Sequence, residues 1–217
     1  MITPLTPDSL KLGAERLATI DPDLGRLHQR LGSPPLWERE PGFATLIKII
    51  LEQQVSLKAA HTMYQRLHDY LGETSPSLVI KAGEAGLKSI GLTRQKAGYC
   101  YGLAEKIHSG ELCLDQIETL RDNQGRKALL AVTGLGPWSV DIYYLMALRR
   151  PDVWPQGDLA LAVALQEVKG LSAPATREEQ KTLTQLWSPW RSVAARMLWL
   201  HYLDARGDNP FLTNASE

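Results

Sequence analysis

Hydrophobic residues along this chain recur mainly at the spacing of an α-helix. The segment from Phe43 to Leu51 is apolar almost all round, broken by Thr45 and Lys48, as a helix buried between others would be. The segment from Trp138 to Leu148 also carries its apolar residues at helical spacing. Clear alternation of apolar and polar residues, which would indicate strands, does not occur. The pattern therefore predicts an all-α fold.

Turn residues divide the predicted helices from one another, as at Gly32-Ser33-Pro34-Pro35, Gly91-Leu92 and Arg150-Pro151-Asp152. Only the last residues, Asn209 to Glu217, have a composition that suggests disorder. The predicted helices run from Pro22 to Leu31, Pro41 to Leu51, Leu57 to Leu71, Ser77 to Ala82, Gly83 to Ser89, Lys96 to Ser109, Asp115 to Leu120, Asn123 to Val132, Pro137 to Leu148, Leu159 to Val168, Arg177 to Trp187 and Ser192 to Ala205.

Composition describes an ordinary soluble globular protein, with 44% hydrophobic and 22% charged residues. The length of 217 residues fits one large domain or two small ones. The 24 basic and 24 acidic side chains give a net charge of zero. This balance argues against a general polyanion binder, so any contact with nucleic acid must be local.

Cysteine and histidine usage predicts no catalytic metal. Cys100 and Cys113 are too few and too far apart for a zinc or iron–sulfur site, and the histidines are scattered without a metal-binding pattern. The N-terminus lacks a basic-then-apolar signal, and no apolar run reaches the ~18 residues that span a bilayer. We expect a reduced, soluble cytoplasmic protein without membrane contact, and a monomer.

Two glycines between helical segments predict a helix–hairpin–helix. Gly134 and Gly136 can take the positive φ angles of a very tight reversal, and Pro137 then suits the first turn of the next helix. Such a hairpin presents backbone N–H groups at a helix N-terminus, which suit a phosphate and are indifferent to base identity. The same pattern is also that of an ordinary turn between two helices.

Asp158 is the carboxylate whose position is most suggestive of chemistry. It follows Gly157 and precedes the helical run Leu159 to Val168, so it stands at a helix start, where the dipole favours its ionised form. By its position alone it could equally be a helix cap. Asp141, the rival carboxylate, lies inside a predicted helix, and we assign it a structural or cleft-lining role.

Five motifs in order give the chain a resemblance to a known family. They are Leu51-Glu52-Gln53-Gln54-Val55-Ser56, Gly91-Leu92 followed by Lys96-Ala97, the Gly134 hairpin, Asp158, and Trp187-Ser188-Pro189-Trp190-Arg191-Ser192. Between Pro41 and Tyr202 the chain resembles the helix-hairpin-helix (HhH-GPD) DNA glycosylase superfamily, in particular the bacterial 3-methyladenine DNA glycosylase II group. Only about forty residues precede the resembling region, so we expect the N-terminal sheet domain of longer members to be missing.

The resemblance implies two helical subdomains with a DNA-facing cleft between them. Residues 41–148 would form a barrel-like subdomain that ends in the hairpin. Residues 1–40 and 149–217 would form the second, which carries the catalytic aspartate. The implied partner is duplex DNA containing damaged bases, and the location of a bacterial member would be the nucleoid.

The resemblance also implies roles for individual residues. Asp158 matches the family's catalytic aspartate. Relatives that also cut the strand carry a lysine where this chain has Trp138, so a monofunctional enzyme is implied. Trp138 and Trp190 match aromatic positions of the base pocket, whereas Ile142 replaces a tyrosine that relatives often carry there.

DNA contacts are implied at the hairpin and at the turn after Phe43 to Leu51. The hairpin residues are Gly134, Leu135 and Gly136; Gln54, flanked by Gln53 and Ser56, would fill the gap left by a flipped base. Hairpin carbonyls near Thr133 and Leu135 could coordinate a monovalent cation, K⁺ or Na⁺, and no other cofactor is implied. Arg94, Lys96 and Arg191 are either phosphate contacts or solvated surface charges.

The predicted function is hydrolysis of alkylated purines, of the 3-methyladenine or 7-methylguanine type, from duplex DNA. Three alternatives stay open at this point. The chain could excise another lesion such as ethenoadenine, bind DNA through the hairpin without catalysis, or use the hairpin as a plain turn in a protein-interaction module.

Overall fold

A computed structural model describes residues 3–207, and within this range the protein consists of helices and loops without a strand. The predicted all-α fold is confirmed. Asn209 to Glu217 lie outside the described residues. The helices are α1 (Pro7–Ile20), α2 (Pro22–Leu31), α3 (Phe43–Glu52), α4 (Leu57–Leu71), α5 (Pro76–Ser89), α6 (Arg94–His108), α7 (Leu114–Thr119), α8 (Asp122–Leu130), α9 (Pro137–Ile142), α10 (Leu159–Lys169), α11 (Arg177–Leu183) and α12 (Arg191–Asp204).

Helix α1 was not predicted from the apolar pattern. Its start is set by a capping box, in which the Thr6 hydroxyl accepts from the Ser9 N–H at 3.2 Å and the Ser9 hydroxyl accepts from the Thr6 N–H at 2.8 Å. Pro7 occupies the first helical position. Leu10, Ala14 and Leu17, spaced four and three residues apart, are buried. The signals for a helix were therefore present before Pro22, at the cap rather than in a long apolar run.

Two predicted helices differ in detail from the structure, and one predicted break is confirmed. The stretch predicted as one helix from Pro137 to Leu148 changes after Ile142 into a π-helical segment, Tyr143–Ala147. The stretch from Arg177 ends as an α-helix at Leu183 and continues as a 3₁₀ turn, Gln185–Trp187. The predicted break between Ala82 and Gly83 is confirmed, because Gly83 interrupts α5 with a φ of +65°.

The helices form two compact units. Arg39–Tyr143 makes up one unit, here called the hairpin unit, which contains α3 to α9. The segment before Arg39 and the chain from Tyr144 onward make up the other, here called the aspartate unit, which contains α1, α2 and α10 to α12. The predicted subdomains 41–148 and 1–40 plus 149–217, and their roles toward DNA, stay a prediction.

Each unit has its own apolar core. In the hairpin unit α3 is buried almost all round, as its sequence predicted, and packs against α4 and α6. In the aspartate unit α12 packs against α1, α2 and α10, and its residues from Ser192 to Leu198 are all buried. None of the described helices combines the length and apolarity needed to cross a membrane.

Candidate functional site

The hairpin joins α8 to α9 through one glycine with a positive φ. Gly134 has a φ of +96°, in agreement with the sequence prediction, and Pro137 occupies the first position of α9. The prediction of a positive φ at Gly136 is wrong, because its φ is −85° and its ψ 177°. Gly136 is simply the extended residue that precedes the helix. One left-handed residue is enough to reverse the chain here.

Gly134 is also required by a close neighbour. A Cβ atom at this position would lie 2.4 Å from Cγ of Tyr99, well inside contact distance. At Leu135 the side chain is buried, and the N–H donates to the Val132 carbonyl at 3.0 Å. The carbonyl of Leu135 is therefore its remaining possible contribution to a ligand site.

The turn after α3 is held in an unusual backbone conformation. Gln54 has a φ of +57°, in the left-handed region that side chains other than glycine rarely adopt, and its side chain is exposed. Ser56 caps α4, its hydroxyl accepting from the Ala59 N–H at 3.2 Å. The structure thus presents Gln54 outward at a strained turn.

Gln53 connects this turn to the hairpin. Its side-chain amide donates to the Gly134 carbonyl and to the Ser139 hydroxyl, each at 2.8 Å. Gln53 was predicted to contact DNA. In the structure both hydrogen bonds of its amide nitrogen are made within the protein. Gln53 fixes the turn and the hairpin to each other.

The three basic residues considered as phosphate contacts differ in their exposure and in their partners. Lys96 is 8% exposed and donates to the Leu51 carbonyl at 2.5 Å, so neither reading of it, phosphate contact or solvated charge, is right. Burial lowers the pKa of its ammonium below the usual value. Arg94 is exposed and lines a groove of about 600 Å³ that also includes Tyr99 and Thr133.

Asp158 is the N-cap of α10 and is 9% exposed. Its Oδ1 accepts from the Leu161 N–H at 2.9 Å and from the indole Nε1–H of Trp199 at 3.3 Å. The predicted cap position is confirmed, and the carboxylate is held in a fixed orientation.

The loop that leads to Asp158 is bound to the start of α12. Arg191 forms a bidentate ion pair with Asp152, with Nε–Oδ1 and Nη2–Oδ2 both 2.7 Å. The Ser192 hydroxyl donates to the Arg150 carbonyl at 2.6 Å and accepts from the Val153 N–H at 2.9 Å. Arg191 was considered as a phosphate contact or a solvated surface charge. In the structure its side chain is paired with Asp152 of this loop.

Trp199 is a functional candidate that sequence reasoning missed. It stands on the face of α12 that also carries Ser192 and Arg196, at positions i, i+4 and i+7. Arg196 donates to the Leu145 carbonyl at 2.9 Å. The same helix face therefore contacts the π-helical segment, the loop and Asp158 in turn. The signal available in the sequence was that Trp199 follows Ser192 by seven residues, which places both on one face of a helix.

Trp190, predicted in the base pocket, is half-buried at the start of α12 and packs against α1. A Cβ atom added at Gly13 would lie 2.8 Å from its Cε3. Trp138 is half-buried in the first turn of α9, and Ile142 is 4% exposed. Asp141 is buried and pairs with Arg126 across α8 and α9, in keeping with a structural role.

Residues 3–207 contain no cluster of three or more His, Cys, Asp or Glu side chains that could hold a metal ion. A monovalent cation needs only carbonyl oxygens. In the hairpin the Gly134 carbonyl accepts from Gln53, and the cation site near Thr133 and Leu135 stays a prediction.

Comparison with known proteins finds relatives described as a DNA-3-methyladenine glycosylase and a DNA repair enzyme. The chain is 23% identical over 181 residues to the DNA-3-methyladenine glycosylase of Bacillus subtilis, covering 78% of this chain and 58% of that protein. It is 32% identical over 165 residues to a protein of Mycobacterium tuberculosis described as a probable bifunctional transcriptional activator/DNA repair enzyme AlkA, covering 70% of this chain and 32% of that protein. The chain thus spans only part of the length of these relatives.

Solved structures agree on the fold. The 3-methyladenine DNA glycosylase of Schizosaccharomyces pombe, solved in complex with abasic DNA, superposes with a TM-score of 0.81 at 22% identity, covering 87% of this chain and 95% of that one. A family model described as the HhH-GPD superfamily base excision DNA repair protein matches residues 47–189, which include the Gln53–Gln54 turn, the hairpin and Asp158. The chain therefore belongs to the HhH-GPD superfamily of base excision DNA repair proteins.

Proposed function

We propose that this protein is a monofunctional DNA glycosylase of base excision repair that hydrolyses the N-glycosidic bond of alkylated purines in duplex DNA. The observation that carries the proposal is Asp158, a fixed and mostly buried carboxylate at the start of α10, inside the region that matches the family. Relatives described as 3-methyladenine glycosylases support the choice of lesions of the 3-methyladenine or 7-methylguanine type.

In the proposed reaction the bond between the sugar C1′ and the purine nitrogen breaks, and the purine leaves with the electron pair. The sugar gains oxocarbenium character, which the Asp158 carboxylate stabilises. Water then adds to C1′ and loses a proton, so the products are a free base and an abasic site. Hydrogen bonds from Leu161 and Trp199 keep the carboxylate oriented during this step.

The proposal of a monofunctional enzyme rests on Trp138. Cutting the strand through a Schiff base needs a nucleophilic amine, and an indole has none. Alkylation gives the purine a positive charge, which makes it a better leaving group and a partner for aromatic faces. We propose that Trp138, Trp190 and Ile142 contact the flipped base, and we add Trp199 as a candidate because it donates to Asp158.

DNA would be held through its backbone by the hairpin at Gly134, Leu135 and Gly136, while Gln54 enters the gap left by the flipped base. A monovalent cation on the Thr133 and Leu135 carbonyls would supply positive charge for a phosphate. No other cofactor is proposed. We further propose a monomer that acts in the cytoplasm, at the nucleoid if the source is bacterial.

The test is single-turnover release of free base from methylated duplex DNA. The native protein should release methylated purines, and strand cuts should appear only after alkali. Asp158→Asn should abolish release. It should leave α10 intact, because asparagine caps a helix about as well as aspartate. Asp115→Asn, which removes an exposed carboxylate from the first turn of α7, is the matched control and should keep the native rate.

Other outcomes decide between the rivals. Release of ethenoadenine in place of methylated purines, in a panel of lesions, would assign another specificity and would direct attention to Ile142. DNA binding without release of any base would identify a non-catalytic binding protein. Strand cuts before alkali would contradict the monofunctional assignment.

A further inference from the structure

Lys96 is a buried ammonium group that the proposed chemistry does not use. It is 8% exposed, and its Nζ donates to the Leu51 carbonyl at 2.5 Å. In the described part of the chain no carboxylate pairs with it; the titratable group beside it is the buried thiol of Cys100. Burying an amine without an opposite charge is costly, so its presence calls for a compensating role.

The contact of Lys96 lies at the end of a helix. Leu51 is the penultimate residue of α3, where carbonyls have no partner within the helix and carry the negative end of its dipole. A lysine side chain from another helix therefore suits this carbonyl well. Two residues after Glu52 the chain enters the left-handed turn at Gln54. Lys96 thus fixes the last point of regular structure before the exposed glutamine.

The same helix also supports the hairpin. Tyr99, one turn after Lys96 on α6, lies directly against Gly134, whose missing Cβ leaves room for its ring. Gln53 closes the arrangement by donating to the Gly134 carbonyl and the Ser139 hydroxyl. One turn of α6 therefore contacts both elements that the proposed function assigns to DNA, and a glutamine joins the two directly.

We propose that Lys96 is a positioning residue, which with Tyr99 and Gln53 fixes the spacing between the gap-filling Gln54 and the backbone-gripping hairpin. The inference rests on the proposed function, because it assumes that the protein opens a gap in duplex DNA. It assigns Lys96 to the recognition of a gapped duplex and to no step of bond cleavage. Its loss should therefore affect binding to a gap more than binding to an intact backbone.

The experiment compares binding to two duplexes, one with a tetrahydrofuran abasic analogue and one undamaged. The ratio of the two dissociation constants measures gap recognition without any base release. Lys96→Met keeps the length and apolar stem of the side chain but removes the donor. We expect it to reduce the preference for the abasic duplex about tenfold, as loss of a hydrogen bond from a charged group would, with little change for undamaged DNA.

The control is Lys106→Met on the same helix, where the ammonium pairs with Glu111 at an exposed site. This variant should keep the native preference. A variant that is only less stable loses active protein for both duplexes alike, so its ratio stays native. A native ratio in Lys96→Met would overturn the inference. If that variant does not fold, Lys96→Gln, whose shorter amide falls short of the Leu51 carbonyl, is judged by the same ratio.

The two proposals fail separately. A native protein that shows no preference for the abasic duplex would contradict base flipping itself, and with it the proposed function. A native protein with a clear preference that Lys96→Met retains would contradict only the role of Lys96. Release of damaged bases is measured independently and does not enter this comparison.

Discussion

The two units hold their predicted functional residues by different means. In the hairpin unit the geometry is set by backbone conformation and close packing, with positive φ angles at Gly134 and Gln54 and the Tyr99 ring against the hairpin. In the aspartate unit it is set by side-chain hydrogen bonds, with Ser192 on the loop and Trp199 on Asp158.

The contrast fits the roles that we propose for the two regions. A DNA backbone offers the same phosphates at every sequence, so fixed N–H and C=O groups on a rigid turn are sufficient to bind it. A catalytic carboxylate has to be held as one oriented group, which requires donors on neighbouring side chains. Backbone geometry should therefore be sensitive to an added Cβ, and the aspartate loop to the loss of a single hydroxyl or charge.

The largest effect on stability is expected at Gly134. Gly134→Ala adds a Cβ at a positive φ and against the Tyr99 ring, which together should cost about 3 kcal/mol of unfolding free energy. Urea denaturation measures this cost, and DNA affinity should fall with it. Gly136→Ala is the matched control, because its φ is −85° and no atom would lie within 4 Å of the new Cβ. A similar cost for both alanines would contradict the assignment of strain to Gly134.

A smaller effect is expected at Ser192, in the other unit. Ser192→Ala leaves the buried Val153 N–H without its side-chain acceptor, at a cost of about 1–3 kcal/mol. Because this hydroxyl holds the loop that precedes Asp158, single-turnover base release should fall while affinity for undamaged duplex stays native. The hydroxyl-retaining Ser192→Thr is the comparison variant. Equal losses of binding and release in Ser192→Ala would indicate general unfolding instead.

The smallest effect concerns pH. Burial raises the pKa of Asp152, but hydrogen bonds from Arg191 and Ser188 outweigh this and hold the pKa below its usual value. A carboxyl whose folded pKa is lowered stabilises the folded state above its unfolded pKa of about 3.8 and loses this contribution as the pH falls through the folded value.

Asp152→Asn should therefore make thermal stability less dependent on acid pH than it is in the native protein. Melting curves from pH 6 to pH 2 would show it. The variant and the native protein should converge at the lowest pH, where the native carboxyl is also protonated. A constant difference at every pH would instead indicate lost packing.

Sequence patterns predicted the helices with long apolar stripes and the residues at turn and cap positions. Asp158 stands at its predicted cap because its position depends on local rules, namely a glycine before it and a helical run after it. Helix α1 was missed because it has no long apolar run; its signals are the cap residues Thr6 and Ser9 and three apolar residues at helical spacing. The π-helical segment was missed because apolar residues at helical spacing do not distinguish it from an α-helix.

The candidate site was less accessible than the fold because its contacts are tertiary. Nothing local in the sequence says that Lys96 is buried against α3 or that Trp199 reaches Asp158, since both contacts join residues more than forty positions apart. Gln53 and Gln54 are adjacent and chemically identical, yet one amide bonds the hairpin and the other faces outward. The backbone conformation of the turn is what directs the two side chains to different surroundings.

The left-handed backbone at Gln54 limits how this family member could be altered by evolution or by design. β-branched residues are strongly disfavoured at such φ values, whereas asparagine, aspartate and histidine are tolerated more readily. Substitutions of the side chain that we propose enters DNA are therefore restricted to unbranched or turn-forming residues unless the turn itself is rebuilt. A library at position 54 should accordingly lose valine, isoleucine and threonine first under selection for DNA repair in cells.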